Sequence, residues 1–215
     1  MTTFIKYDIP ALEQINTPTG RFYETPNGNK YPSVTTVLAT IPNPALQEWR
    51  LAVGEKVANE ISSKATYRGS KVHTWCELYL NKIGFGISPK DHEAGQMFHA
   101  LVPYLNQFDE IHAMETSLYS DTLKTAGSVD CITRIDGVMY VIDFKTAGHP
   151  KRKDEIHSYF MQCAAYAQMF YERTGVVCAR MKILMTVQEP LMVICFDERV
   201  IDWLPSFVKL RKEML

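Results

Sequence analysis

The feature that most limits how this chain can fold is the dipeptide Asp136-Gly137, set between two runs of β-branched and aromatic residues. Asp-Gly accepts the positive φ angles of a two-residue turn, so the pattern predicts a β-hairpin with strands over residues 127–135 and 138–145. A two-residue turn also sets the register. Ile135 then faces Val138, and counting back places Asp130 opposite Asp143. Directly opposed side chains share a face, with Cβ atoms about 4.5–5.5 Å apart. Lys145, two residues beyond Asp143, points the same way. Val129, Cys131, Ile135, Val138, Tyr140, Ile142 and Phe144 alternate with Ile132, Met139 and Val141, as in a strand pair covered on both faces.

Two carboxylates held that close raise each other's proton affinity unless a cation lies between them. A hard divalent ion such as Mg²⁺ takes such oxygens, often using one or two carboxylates plus water and a substrate phosphate. An adjacent ammonium can stabilise developing negative charge or help activate the attacking water. Acid, acid, any residue, lysine is therefore a pattern suited to phosphodiester hydrolysis. The competing reading is a hairpin with two solvated aspartates and a surface lysine. Unpaired acids are costly in strands covered on both sides, which favours the first reading.

Five sequence pieces occur in order through the middle of the chain: Gly69-x-x-x-His73, Glu115, Gly127-x-x-Asp130, Asp143-Phe144-Lys145-Thr146 and Gln162-x-x-x-Tyr166. On these residues the chain resembles the PD-(D/E)xK nuclease superfamily, and within it the RecB-type exonuclease branch. The resemblance implies an α/β, restriction-endonuclease-like core, with a central mixed β-sheet flanked by helices. It implies Mg²⁺, with Mn²⁺ possible, held by Asp130, Asp143, the Phe144 carbonyl and His73. Lys145 is implied as the catalytic cation and Glu115 as support for the metal or its water. Gln162 and Tyr166 are placed at the edge of the site, holding the lysine or the DNA backbone. Some RecB-type relatives carry an iron–sulfur cluster, which needs four clustered cysteines. Cys76, Cys131, Cys163, Cys178 and Cys195 are scattered, so no cluster is expected and reduced thiols are.

With 215 residues, 46% of them hydrophobic, the chain is expected to form one nuclease domain over 1–215. Residues 1–110 are expected to be mainly helical, with helices over 43–63, 69–81 and 88–106, and 111–215 to form the catalytic core. The first twenty residues read as an extended arm, followed by a hairpin at Asn27-Gly28 and a short helix capped by Ser33. A strand over 112–120 precedes the central hairpin. Asp154 and Glu155 are expected to open a helix running to Arg173, with strands near 178–187 and 191–196 and a last helix over 198–214. No run is long and apolar enough for a membrane span, and no leader pattern is visible, so a cytoplasmic protein of a bacterium or phage-infected cell is expected.

A net charge of −1 does not fit bulk coating of DNA, so the placement of basic groups matters more than their number. Lys151, Arg152 and Lys153 follow the catalytic strand, where they either track a phosphate backbone or form a solvated loop. Lys64, Arg68 and Lys71 form a second basic group near the start of the His73 helix, with Tyr67 as a base-stacking candidate. Trp49 and Trp75 read as core. Glu77, one turn after His73, shares its face. The activity expected is exonucleolytic, on single-stranded DNA with free ends. A double-strand 5′→3′ recombination exonuclease, a structure-specific endonuclease and a non-catalytic nucleic-acid-binding module with this fold are the alternatives.

Overall fold

The computed structural model describes residues 2–214. Its centre is a six-stranded mixed sheet in the order β1-β5-β6-β7-β8-β9. These strands are β1 (Thr3–Phe4), β5 (Glu110–Ser120), β6 (Thr125–Ile135), β7 (Val138–Ala147), β8 (Arg180–Val187) and β9 (Met192–Arg199). Helices cover both faces, an α/β arrangement consistent with a restriction-endonuclease-like core.

The Asp136-Gly137 turn forms as expected, with φ of 48° and 79° at its two residues. Pairing runs from Ile135↔Val138 to Cys131↔Ile142, the register that sets Asp130 level with Asp143. After β7 the chain crosses through α5 (His157–Thr174) to β8, which pairs with β7 in parallel. Asp154 and Glu155 do not open that helix. They lie in a separate 3₁₀ turn, Lys153–Glu155, in which Glu155 accepts from the Arg152 backbone N–H.

Alternation along β7 divides the core. Val141 faces a cluster built with Phe160, Ala164 and Phe170 of α5 and Phe207 of α6 (Val200–Lys212). Ile142 and Phe144 face the opposite cluster, with Val72, Trp75, Phe98 and Leu101. These last four come from α3 (Glu55–Leu80) and α4 (His92–Leu105). Asp143 and Lys145 thus share the α5 side, while the Phe144 ring anchors the strand under α3.

The N-terminal expectations need correction. The first twenty residues are not a bare arm. β1 pairs in parallel with β5, and β2 (Glu13–Thr17) joins β3 (Gly20–Glu24) and β4 (Lys30–Pro32) in a small antiparallel sheet. Of these strands, β3 and β4 are the hairpin expected at Asn27-Gly28, and β1 and β2 are the additions. β2 is almost wholly exposed, so it carries no apolar alternation by which to recognise it. The Ser33 cap is present, its side chain accepting from the Thr36 N–H at the start of α1 (Val34–Leu38).

The helix boundaries also differ. α2 (Pro44–Val53) stops at Gly54, whose φ of 84° suits glycine, and α3 then runs unbroken through 63–69. Lys64, Arg68 and Lys71 consequently lie in the middle of α3, not at a helix start. Four cysteines are buried, and Cys195 is exposed on β9. Among the described residues no helix is long and apolar enough to cross a membrane.

Candidate active site

Three adjacent strands bring three carboxylates to one level of the sheet. β5 pairs Met114 with Cys131 and Thr116 with Val129, which leaves Glu115 level with Asp130. The β6–β7 ladder ends at Cys131↔Ile142, which leaves Asp130 level with Asp143. Regular pairing lapses at Asp130 on both sides, and the backbone polar groups find other partners. The Phe144 N–H donates to Asp130 Oδ2 at 2.8 Å. Glu115 adopts φ of 44°, and the Thr116 side chain accepts from the Met114 N–H and donates to its carbonyl.

A glutamate in the left-handed region is strained by about 1–2 kcal/mol. Glu115→Gly relieves that strain, at the expense of glycine's backbone entropy and, while His73 is protonated, of a carboxylate that faces it. Above about pH 9, where the imidazole is neutral, the metal-free variant is expected to be about 0.5–1 kcal/mol more stable than the parent, and with metal supplied it is expected to cleave more slowly. Urea unfolding in chelator, beside a cleavage assay, checks both halves.

α3 brings His73 against this row. Gly69, one turn earlier, passes close to β7: a Cβ there would meet Thr146 Oγ1 at 3.4 Å. His73 Nε2 lies 2.8 Å from the Phe144 carbonyl, and since a carbonyl only accepts, Nε2 carries the hydrogen. Nδ1 then faces the acids, 3.6 Å from Asp130 Oδ2 and 3.9 Å from Glu115 Oε1. Ligand atoms of His73, Glu115 and Asp130 lie within 4.8 Å of one another. Two expectations are refined by this. Nδ1 is the nitrogen placed to meet a metal, and the Phe144 carbonyl already takes one hydrogen bond from the histidine it was expected to join as a ligand. That bond is the kind that orients a metal-binding histidine.

Asp143 sits on the other side of Asp130 and is 2% exposed. Gln162 Nε2 of α5 donates to its Oδ1 at 3.1 Å. The Lys145 ammonium makes a close ion pair with Oδ2. A buried carboxylate oxygen with an unused lone pair, beside a second carboxylate, is a donor set that fits a hard divalent cation.

Burial pushes the Asp143 carboxyl up to about 6; Lys145 opposes this and Asp130 adds to it. Burial lowers the Lys145 pKa, but Asp143 and Asp130 outweigh it and hold the ammonium protonated well above its ordinary range. For His73, burial again disfavours the charge, but Asp130 and Glu115 more than compensate and raise it to about 9. In the metal-free protein an imidazolium thus stands where a cation is wanted.

This carries a pH dependence. His73 has a folded pKa above its unfolded value, so its stabilisation is complete below 6.5 and lost as pH rises through about 9. The full effect corresponds to about 3 kcal/mol. Asp143, raised from 3.8 to about 6, acts in the same sense at lower pH. Unfolding in chelator at pH 6 and pH 9.5 is expected to show the loss in the parent and little of it in His73→Gln.

The other candidates fall into two groups. Tyr166 is 3% exposed, and a Cβ on Gly127 would come within 3.0 Å of its ring and hydroxyl. It packs under β6 and does not reach toward a DNA backbone, so the Gly127 and Tyr166 pieces of sequence are two sides of one contact. Glu77 lines a cavity of about 410 Å³ with Gly69, Ser70, His73, Thr74 and Glu115. Trp75 is core, stacked on Phe85, whereas Trp49 is only half-buried on α2, which buries no residue, and is not core as expected.

The basic candidates are mostly engaged. Arg68 binds Glu93 and Gln188; Tyr67 donates to Asp91, which also pairs with Lys71. These contacts fasten α3 to Asp91 and the first turn of α4, and Arg68 also to the turn after β8, although the Tyr67 ring stays half exposed. Arg152 pairs with Asp154 and Lys153 with Glu198. Within the basic loop, among the described residues, Lys151 alone has no carboxylate partner; it lies instead 5.7 Å from the Tyr159 ring. The sequence reading missed Tyr159, whose only sequence signal is its place three residues before Gln162 on the same helix face.

No family model matches the chain. Over 131 residues it is 27% identical to mitochondrial genome maintenance exonuclease 1 of Mus musculus, covering 57% of this chain and 39% of that protein. The chain thus spans about two-fifths of the length of that relative. The crystal structure of SSO0001 is similar at a TM-score of 0.46 and 14% identity, covering 84% of this chain and 72% of its own, an overlap too low to inform function.

Proposed function

We propose that the protein is a metal-dependent DNA exonuclease that hydrolyses phosphodiester bonds, on single-stranded DNA with free ends. The observation that carries this reading is the row of Glu115, Asp130 and Asp143 across three strands, closed by His73 on one side and Lys145 on the other. The sequence similarity to a protein named as an exonuclease adds independent support.

Asp130 and Asp143 would hold Mg²⁺ or Mn²⁺, with His73 Nδ1, Glu115 and the second lone pair of the Phe144 carbonyl as further donors. When bound, such an ion lowers the pKa of a coordinated water and polarises the scissile phosphate. The chain's own groups do the rest. Gln162 fixes the orientation of Asp143, and the Phe144 N–H fixes that of Asp130. In the metal-free protein Asp143 and Asp130 hold Lys145 protonated, which places a cation where charge grows on the phosphate. Lys151, free of carboxylates, is the loop cation best placed to meet the backbone on the α5 side. A role in bacterial or phage DNA replication, recombination or degradation, in the cytoplasm, belongs to the same proposal.

Substrate topology tests it. End-labelled linear single strands, linear duplex and closed single-stranded circles are each incubated with Mg²⁺ or Mn²⁺. Linear single strands are expected to be degraded and circles spared. Faster loss of duplex would make this a double-strand exonuclease, cut circles an endonuclease, and binding without product a non-catalytic module.

A further inference from the structure

We infer that Tyr159 is a positioning residue for Lys145, a role that rests on the nuclease reading above. The Lys145 Nζ lies 4.9 Å from the centre of the Tyr159 ring, within range of a cation–π attraction. Tyr159 stands in the first turn of α5, and residues 159, 162 and 166 share one face of that helix. In order along it, Tyr159 meets Lys145, Gln162 meets Asp143, and Tyr166 meets Gly127. One helix face therefore supports each part of the β6–β7 site in turn.

The ring supplies what Asp143 cannot. Asp143 pairs with Lys145 in the metal-free protein, but its oxygens are also the ones a bound cation would claim. An ammonium released from that pairing needs a partner that attracts it without taking its proton. An aromatic face does this, since its quadrupole attracts the ammonium but has no basic site to remove its proton. Lys145 is already 21% exposed, so with no such partner it would have room to swing away from the scissile phosphate. Lys151 approaches the same ring at 5.7 Å, so two ammonium groups share one aromatic anchor beside the carboxylates. Among the described residues the Tyr159 hydroxyl has no hydrogen-bond partner, which leaves the ring face as the contact.

The test compares Tyr159→Phe and Tyr159→Leu with the parent, using cleavage kinetics and the NMR shift of the Lys145 ε-methylene group. The parent and Phe variants are expected to have the same kcat within about twofold. The Leu variant is expected to lose roughly 5–30-fold in kcat with KM nearly unchanged, as removal of a cation–π partner implies. The ring-current shift of the Lys145 signal should persist in Phe and vanish in Leu. Full activity in Leu, equal loss in Phe and Leu, or a change confined to KM would each overturn the inference. An inactive parent would instead overturn the nuclease reading, and the positioning role with it, whatever the NMR signal shows.

Discussion

Lys145→Ala is expected to slow metal-dependent cleavage by about 10²–10³-fold, the usual cost of deleting one group that stabilises transition-state charge. Because the interaction is made with charge that grows only in the transition state, the loss should appear in kcat. The variant is also expected to lose stability in the metal-free protein. Asp143 is nearly inaccessible, and removing its counter-ion strands a carboxylate that burial already drives toward protonation. Breaking a buried pair costs about 3–5 kcal/mol, and the partial exposure of Lys145 places this one at the low end. Chemical denaturation in chelator measures that cost separately from turnover. Near-normal kcat in a folded Lys145→Ala protein would remove the lysine from the mechanism.

The second large effect is expected at Asp130. It lies level with both Glu115 and Asp143, so it is the carboxylate shared by every donor set the site can assemble. Asp130→Asn keeps an oxygen to accept from the Phe144 N–H, so the local fold should survive. Residues that merely orient a metal ligand cost about 10–100-fold in affinity when changed. Losing a shared ligand is therefore expected to cost at least about 100-fold in Mn²⁺ affinity by calorimetry, with cleavage falling in parallel. Parental affinity in this variant would mean that the row of acids holds no ion.

The parts of this site that could be read from sequence are those fixed by short-range rules. Asp136-Gly137 dictates the turn, the turn dictates the register, and the register sets Asp130 level with Asp143. The β7–α5–β8 crossover follows from the alternation of strand and helix patterns. Long-range placement was less legible. The regular ladder lapses at Asp130, and the positive φ of Glu115 comes with Thr116 rebonding the backbone locally, which no propensity encodes. The division of the N-terminal helices failed for the opposite reason. Gly54, not the 63–69 stretch, is the breaker, and only its φ distinguishes it from the mid-helix Gly69. Tyr159 was invisible because a tyrosine on a helix has many uses until its neighbour across the strand is known.

The measurement that bears most directly on the central claim uses the parent protein and Asp143→Asn, in which Gln162 can still donate to the side-chain oxygen. Each receives end-labelled linear single-stranded DNA with Mg²⁺ or with chelator. The account predicts progressive loss of label from the parent in Mg²⁺, and no products in chelator or from a variant that remains folded. Equal cleavage by the parent and Asp143→Asn, or cleavage that persists in chelator, would contradict it.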